Sequence, residues 1–279
     1  MNSPAPGLRH LTGSARPVSA RTVTVPAVAA VAIAAALILA GCGGSSSPAS
    51  SGGSTASTAA TSSASASSSS TSGSSTVTTS STVPFPVGVG DTWTYKTTYG
   101  QTVNKMTAVT PVSGGQQVTM NSSITSLGTT TQNTAYYIIN SDGSISLPFN
   151  QFNTSSSGTT VKLISGSLFW PPAAELASGQ ASHSTLKIEF KQGGATQRVT
   201  THVTVQGAGT QSVSVPAGTY NATVVNLTMA ETIEGISVSS TVRTWLAPGV
   251  GPVKTEVILD EGSTDHVAAE DQLISFKAG

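Results

Sequence analysis

From about residue 83 onward, apolar residues recur with a period of two. In TLKIEF, Leu186, Ile188 and Phe190 alternate with Lys187, Glu189 and Lys191. In RVTTHVTV, Val199, Val203 and Val205 share one face with Thr201, while Arg198, Thr200 and His202 take the other. ISVSSTVRTWL continues the pattern through Ile236, Val238, Val242 and Leu246. Successive side chains of a strand point to opposite faces, so this alternation in Val- and Thr-rich runs predicts half-buried strands. Gly114-Gly115, Gly193-Gly194, Gly207-Ala208-Gly209 and Gly249-Val250-Gly251 supply the turns between them. PPAAELAS, Pro171 to Ser178, is the one short helix, with prolines near its first turn. The pattern predicts an all-β, mainly antiparallel domain: a strongly twisted sheet or incomplete barrel with one short helix.

Before residue 83 the pattern changes twice. Val25 to Ala40 is Val, Ala, Ile and Leu apart from Pro26, and Arg9, Arg16 and Arg21 precede it. A basic n-region, an apolar h-region and small residues at its end make a secretory signal. The run closes on Leu39-Ala40-Gly41-Cys42, which resembles the lipobox of bacterial lipoproteins. That resemblance implies a diacylglyceryl group on the Cys42 sulfur and cleavage between Gly41 and Cys42. An uncleaved membrane-spanning helix is the competing reading, since about 16 to 19 apolar residues nearly span a bilayer. Cys42 is the sole cysteine of the chain, so the folded part uses no disulfide although export would permit one. From there to about Thr82 the chain is dominated by Ser, Thr, Gly and Ala, with no aromatic residue. Such a segment buries too little surface to offset its ordering entropy and is expected to be a disordered tether. The predicted organisation is therefore a signal peptide over 1–41, a lipidated tether over 42–82 and a single β-rich domain over 83–279.

Charge narrows the function. The three arginines of the signal leave 9 basic against 12 acidic residues in the mature chain, a net charge of −3. With no basic footprint and no RNA or DNA motif, nucleic acid is not an expected partner. No cofactor motif is present either.

Two stretches carry a family resemblance. FPVGVGDTWTY holds Gly90-Asp91-x-Trp93-x-Tyr95, and SVPAGTYNATVV is followed by TWLAPGVGPVKTEV. Together they resemble a group of secreted bacterial β-domains, often lipoproteins, with no assigned activity. The resemblance implies a β-fold at both ends of the domain and carries over no catalytic residue. About Thr110 to Gln180 is not covered by it. Physically, the motifs look structural. Trp93 and Tyr95 share a strand face and are large enough to anchor a core. The Pro and Gly residues of APGVGP make a stiff turn between the strands ending at Leu246 and beginning at Val253. Across that hairpin Arg243 is placed to pair with Glu256, and Lys254 shares the face of Glu256.

Candidate chemistry is sparse. No nucleophile elbow occurs in the folded part, and the mature chain has three histidines, of which His183 and His202 read as solvated surface residues. His266 lies in LDEGSTDHVAAED among Asp260, Glu261, Asp265, Glu270 and Asp271. That crowding suits a hard cation, but its spacing fits no EF-hand loop and reads equally as a hairpin turn at Glu261–Thr264, so no metal site is assigned. Trp245 faces away from the stripe of Ile236, Val238, Val242 and Leu246, and Ile258 away from Val253, Val257 and Leu259. Something covers that second face: PPAAELAS, the segment holding Leu168-Phe169-Trp170, or an apolar ligand in a groove lined by Trp170, Trp245 and Ile258.

The expectation is a non-enzymatic envelope lipoprotein, anchored by lipid to the outer face of the cell membrane. Its β-domain would bind an apolar ligand or lipid, or a cell-wall or envelope protein. The alternatives are an envelope hydrolase using the acidic C-terminal region and a ligand-free spacer.

Overall fold

The computed structural model describes residues 86–126, 128–147, 154–156, 159–192, 194–233, 236–260 and 265–279. The expected signal peptide, Cys42 and the expected tether lie outside the described residues. Within them are fourteen strands and one helix. The strands are β1 (Thr92–Thr97), β2 (Gly100–Val112), β3 (Gly115–Ser126), β4 (Thr129–Asn140), β5 (Ile145–Leu147), β6 (Thr154–Ser156) and β7 (Thr159–Ser165). They continue with β8 (Leu168–Trp170), β9 (Ala181–Gln192), β10 (Ala195–Val215), β11 (Gly218–Ile233), β12 (Ile236–Ala247), β13 (Gly251–Asp260) and β14 (Asp265–Lys277). Helix α1 (Ala173–Ser178) follows β8.

All fourteen strands belong to one sheet in the order β6-β7-β9-β10-β11-β12-β13-β14-β1-β2-β3-β4-β5-β8, with every pairing antiparallel. The chain's first and last strands are therefore neighbours at its middle. The sheet curls without closing into a barrel, as the period-two pattern predicts. Its inner face is filled by one apolar cluster that includes Trp93, Tyr95, Met106, Val118, Tyr137, Leu163, Leu186, Val203, Leu227, Val242 and Leu273.

Gly207-Ala208-Gly209 is not a turn. The strand runs on from Ala195 to Val215, and these residues form a bulge, with Gly207 opposite Val225 and Thr210 opposite Thr223. Gly209 takes φ 81°, which a side chain would resist. The bulge bends the long β10–β11 hairpin, and its tip extends past the short β12–β13 hairpin. Beyond the pair Lys254–Gln272, β14 has no β13 partner. The Ala217 N–H takes up the Leu273 carbonyl there, at 3.0 Å.

Gly207 has a second role. Its missing side chain would point onto the inner face, as Val225 opposite it does, and a Cβ there would overlap the Leu176 carbonyl of α1. Leu176 is 2% exposed, and Gln206 Nε2 donates to the Gly179 carbonyl at 2.9 Å just beyond the helix. A six-residue helix is too short to be stable alone, so this docking holds it. Gly207→Ala is expected to displace α1 and to cost about 2 kcal/mol, the usual penalty for overpacking. Urea denaturation checks it; an unchanged midpoint would mean that the helix does not sit on this glycine.

Candidate functional site

The residues of the opening motif converge on the late turn. Trp93 Nε1 donates to the Val250 carbonyl at 2.6 Å, and the Tyr95 hydroxyl to the Pro252 carbonyl at 2.9 Å. Both aromatics are buried, and Trp93 packs on Phe276 with ring centroids 5.3 Å apart. Gly249 (φ 73°) and Gly251 (φ 88°) permit the turn that exposes those carbonyls. Asp91, 4% exposed, accepts from the Gly88 N–H at 2.8 Å and from the Gly279 N–H at 2.9 Å. The motif residues thus knit the two ends of the domain together.

Beside this lock, the inner face carries a polar row. Register places Thr244, Thr255 and Asp271 side by side on β12, β13 and β14, in line with Val225 on β11 and Thr97 on β1. Thr244 is 1% exposed, and its hydroxyl has no hydrogen-bond partner; Ser240, four residues earlier on the same face, is in the same position. Burial pushes the Asp271 carboxyl up to about 6, with the charge of Glu270 adding to the shift. Burial also raises the Tyr95 phenol, and Asp271 raises it further. Glu231, 5% exposed, sits opposite Thr201 and Val238, and burial raises its pKa although the Thr201 hydroxyl donates to it. Next to it, His202, Ala230, Glu231, Thr232, Ser237, Val238 and Ser239 line a half-open depression of about 240 Å³. In the sequence Asp271 was singled out only as one of the acids around His266, and Glu231 did not stand out, though the signal for burial was there. Glu231 follows Leu227 and Met229 at apolar positions, and Asp271 precedes Leu273 by two.

On the outer face, Lys254 is held by Glu256 at 2.8 Å and Glu270 at 2.9 Å, with its ammonium 5.1 Å from the centre of the Trp245 ring. Burial opposes its charge, but the two carboxylates outweigh it and raise its pKa. Arg243 lies opposite Glu256 as expected, yet the ion pair does not form. Arg243 Nε instead donates to Asn226 Oδ1 at 3.1 Å, while Glu256 is taken by Lys254.

Of the three residues read as groove lining, Trp245 and Ile258 share one face of the β12–β13 pair, while Trp170 lies on β8 at the end of the sheet. Trp170 is 6% exposed and paired with Ile145 on β5. Trp245 is 7% exposed and donates from Nε1 to Gln211 on β10, at 3.3 Å, so a side chain of the bent hairpin meets it. Ile258, also 7% exposed, lies on β13 opposite Thr241 and Val267. Around His266 the acidic residues diverge. Glu270 is opposite Glu256 and Asp271 opposite Thr255, on the two faces of the sheet; Glu261 lies outside the described residues. Among the described residues no three His, Cys, Asp or Glu side chains are grouped to hold a metal ion. His183 and His202 are exposed, hydrogen-bonding with Thr204 at 3.1 Å and Thr185 at 3.4 Å.

A family model described as DUF3108-like matches residues 92–263, a span holding both the opening aromatics and the turn they clasp. The chain belongs to the DUF3108-like family. Among solved structures, this DUF3108-like domain is similar to a protein of Parabacteroides distasonis ATCC 8503 provisionally described as a lipoprotein. Identity there is 18%, with 70% of this chain and 99% of that one covered and a TM-score of 0.51. A provisionally described exported protein of Bacteroides fragilis NCTC 9343 with a YmcC-like fold gives 19% identity, the same two coverages and a TM-score of 0.49. At these identities the likeness concerns the fold alone. No curated protein matches the chain.

Asp271 makes the DUF3108-like domain sensitive to pH in a definite direction. Folded Asp271 keeps its proton up to about pH 6, against an ordinary value of 3.8. The folded state therefore binds more protons across that window, and stability falls as pH rises through it. Asp271→Asn removes this contribution. Thermal melting from pH 4 to 7 should show the variant gaining on the parent as pH rises; parallel melting curves would contradict it.

Proposed function

We propose that this DUF3108-like protein is an extracytoplasmic lipoprotein, held by lipid on Cys42 at the outer face of the cell membrane, whose tethered β-domain works by binding rather than catalysis. The observation that carries the reading is the Leu39-Ala40-Gly41-Cys42 sequence at the end of an apolar, charge-free run, followed by a Ser/Thr tether and then this domain. A thiolate is a good nucleophile for alkylation, and small neighbours admit the lipid. Two acyl chains, at about 0.8 kcal/mol per buried CH₂, hold a protein on a membrane far more firmly than one.

Binding is favoured over hydrolysis by the arrangement of the acids. Glycosidase carboxyls lie roughly 5 to 9.5 Å apart. Glu231 and Asp271 lie in line with Val238 and Thr244 of β12, six residues or about 20 Å apart along that strand. The acids around His266 point to opposite faces. Carriage of an apolar ligand has less support than a protein or cell-wall partner, because Trp170, Trp245 and Ile258 are already buried within the domain, at 6–7% exposure.

Metabolic labelling with a fatty-acid analogue tests the anchor. The parent should be labelled, cleaved and accessible to protease on intact cells. Cys42→Ala should remain as unlabelled, uncleaved precursor. Labelling that persists in Cys42→Ala, or a domain shielded from protease in intact cells, would overturn the reading.

A further inference from the structure

The outer face of the sheet is rich in hydroxyls, and across neighbouring strands they close on one another. Thr228 meets Thr241 at 3.0 Å, and Thr125 meets Thr130 at 2.9 Å. His183 and His202 are engaged in the same way, by Thr204 and Thr185. One stretch departs from this. Towards the end of the β11–β12 hairpin Thr232 stands opposite Ser237, and Ala230 opposite Ser239. Among the described residues the hydroxyls of Thr232, Ser237 and Ser239 have no hydrogen-bond partner.

These residues, with His202 on β10, line the half-open depression of about 240 Å³. Its floor is low because Ala230, Ser237 and Ser239 are small, and the His202 imidazole, opposite Ala230, forms a wall. Glu231 and Val238 also border it, but register turns their side chains to the inner face, where Glu231 is buried. Among the described residues the depression therefore receives hydroxyls, one imidazole and one methyl, with no lysine, arginine or carboxylate.

That lining selects a ligand class. An ion would find no opposite charge there to offset its lost hydration. Hydroxyls both donate and accept, so their complement is a ring that carries hydroxyls of its own. The sheet sets Thr232 about 5 Å from Ser237 across strands, and Ser237 about 6.8 Å from Ser239 along β12, spacings one small ring can bridge. A pocket that encloses a drug-sized ligand measures roughly 300–1,000 Å³, so this one has room for a single ring whose chain continues past the open side. His202 is held from the β9 side, its Nδ1 3.4 Å from the Thr185 hydroxyl, which leaves Nε2 for a ligand. The exposed methyl of Ala230 offers the C–H face of such a ring an apolar rest.

We propose that this depression binds one neutral pyranose ring of a glycan, with Thr232, Ser237, Ser239 and His202 hydrogen-bonding its hydroxyls and Ala230 beneath its C–H face. The inference rests on the reading of the domain as a binding module outside the membrane, and it names the chemistry of the ligand. At ordinary ligand efficiency, a ring of about a dozen heavy atoms binds with a dissociation constant on the order of 1 mM.

The test uses the full-length chain in detergent, with neutral tetramers of β-1,4-linked N-acetylglucosamine and of α-1,4-linked glucose as probes. Saturation-transfer NMR should show at least one of them binding. Ala230→Leu fills the floor and should weaken that binding roughly tenfold or more, with the melting temperature unchanged. The double variant Thr232→Ala, Ser237→Ala keeps the floor open and should weaken it about fivefold through lost hydrogen bonds. The Cys42→Ala chain, solubilised alike, should bind as the parent does, so a failure of the anchor and a failure of the glycan site are read separately. If neither tetramer binds, or if binding survives Ala230→Leu, the proposal is overturned. Weaker binding only in variants that melt at lower temperature overturns it as well.

Discussion

Two hydrogen bonds, from Trp93 Nε1 to Val250 O and from the Tyr95 hydroxyl to Pro252 O, join parts of the chain that lie 157 residues apart. The clasped carbonyls, of the turn and of the start of β13, lie beyond Lys254–Gln272, where the β13–β14 pairing stops. The aromatics have an N–H and an O–H that burial would otherwise leave unpaired, at a cost of about 1–3 kcal/mol each. Each group needs the other, and their meeting places the first strand against the last hairpin. The antiparallel pairing of β1 with β14 then seats the chain's beginning and end at the middle of one sheet.

The curl of that sheet depends on local irregularities. Bulges interrupt the pairings β10–β11, β12–β13, β13–β14 and β14–β1, each increasing the twist where it occurs. The bend in β10 does most, because it both docks α1 at Gly207 and sends the hairpin tip to Leu273. The result is a filled inner face, a polar row around Asp271 and a sheet that stops short of closure.

Much of this was legible in the alternation of apolar residues: the strands, the short helix and the burial of Trp93 and Tyr95 all follow from it. Trp245 also announced a second covered face, but its cover was not legible, because Gln211 reaches it from a strand 34 residues away. Glycine pairs were ambiguous for a physical reason. Gly249 and Gly251 make a turn and Gly207 to Gly209 a bulge, and local sequence supplies the same backbone freedom to both. Arg243 and Glu256 were placed correctly in register yet bond elsewhere, since Lys254 competes for the same carboxylate at shorter reach. Glu231 was overlooked because a carboxylate in an apolar stripe reads as a gap in the pattern rather than as a buried acid, and Asp271 was noted for its acidic neighbours rather than for its place on the inner face.

A sheet of this architecture depends on the contact between its first strand and its last hairpin. The most direct measurement of the lock is amide hydrogen exchange on the parent and on Tyr95→Phe, which removes a single hydroxyl. Protection should drop together in β1, in the Ala247–Pro252 turn and in β13, while β3, β4 and β9 keep theirs. Uniform loss across all strands, or no loss at the turn, would contradict the claim that this contact holds the two ends of the chain together.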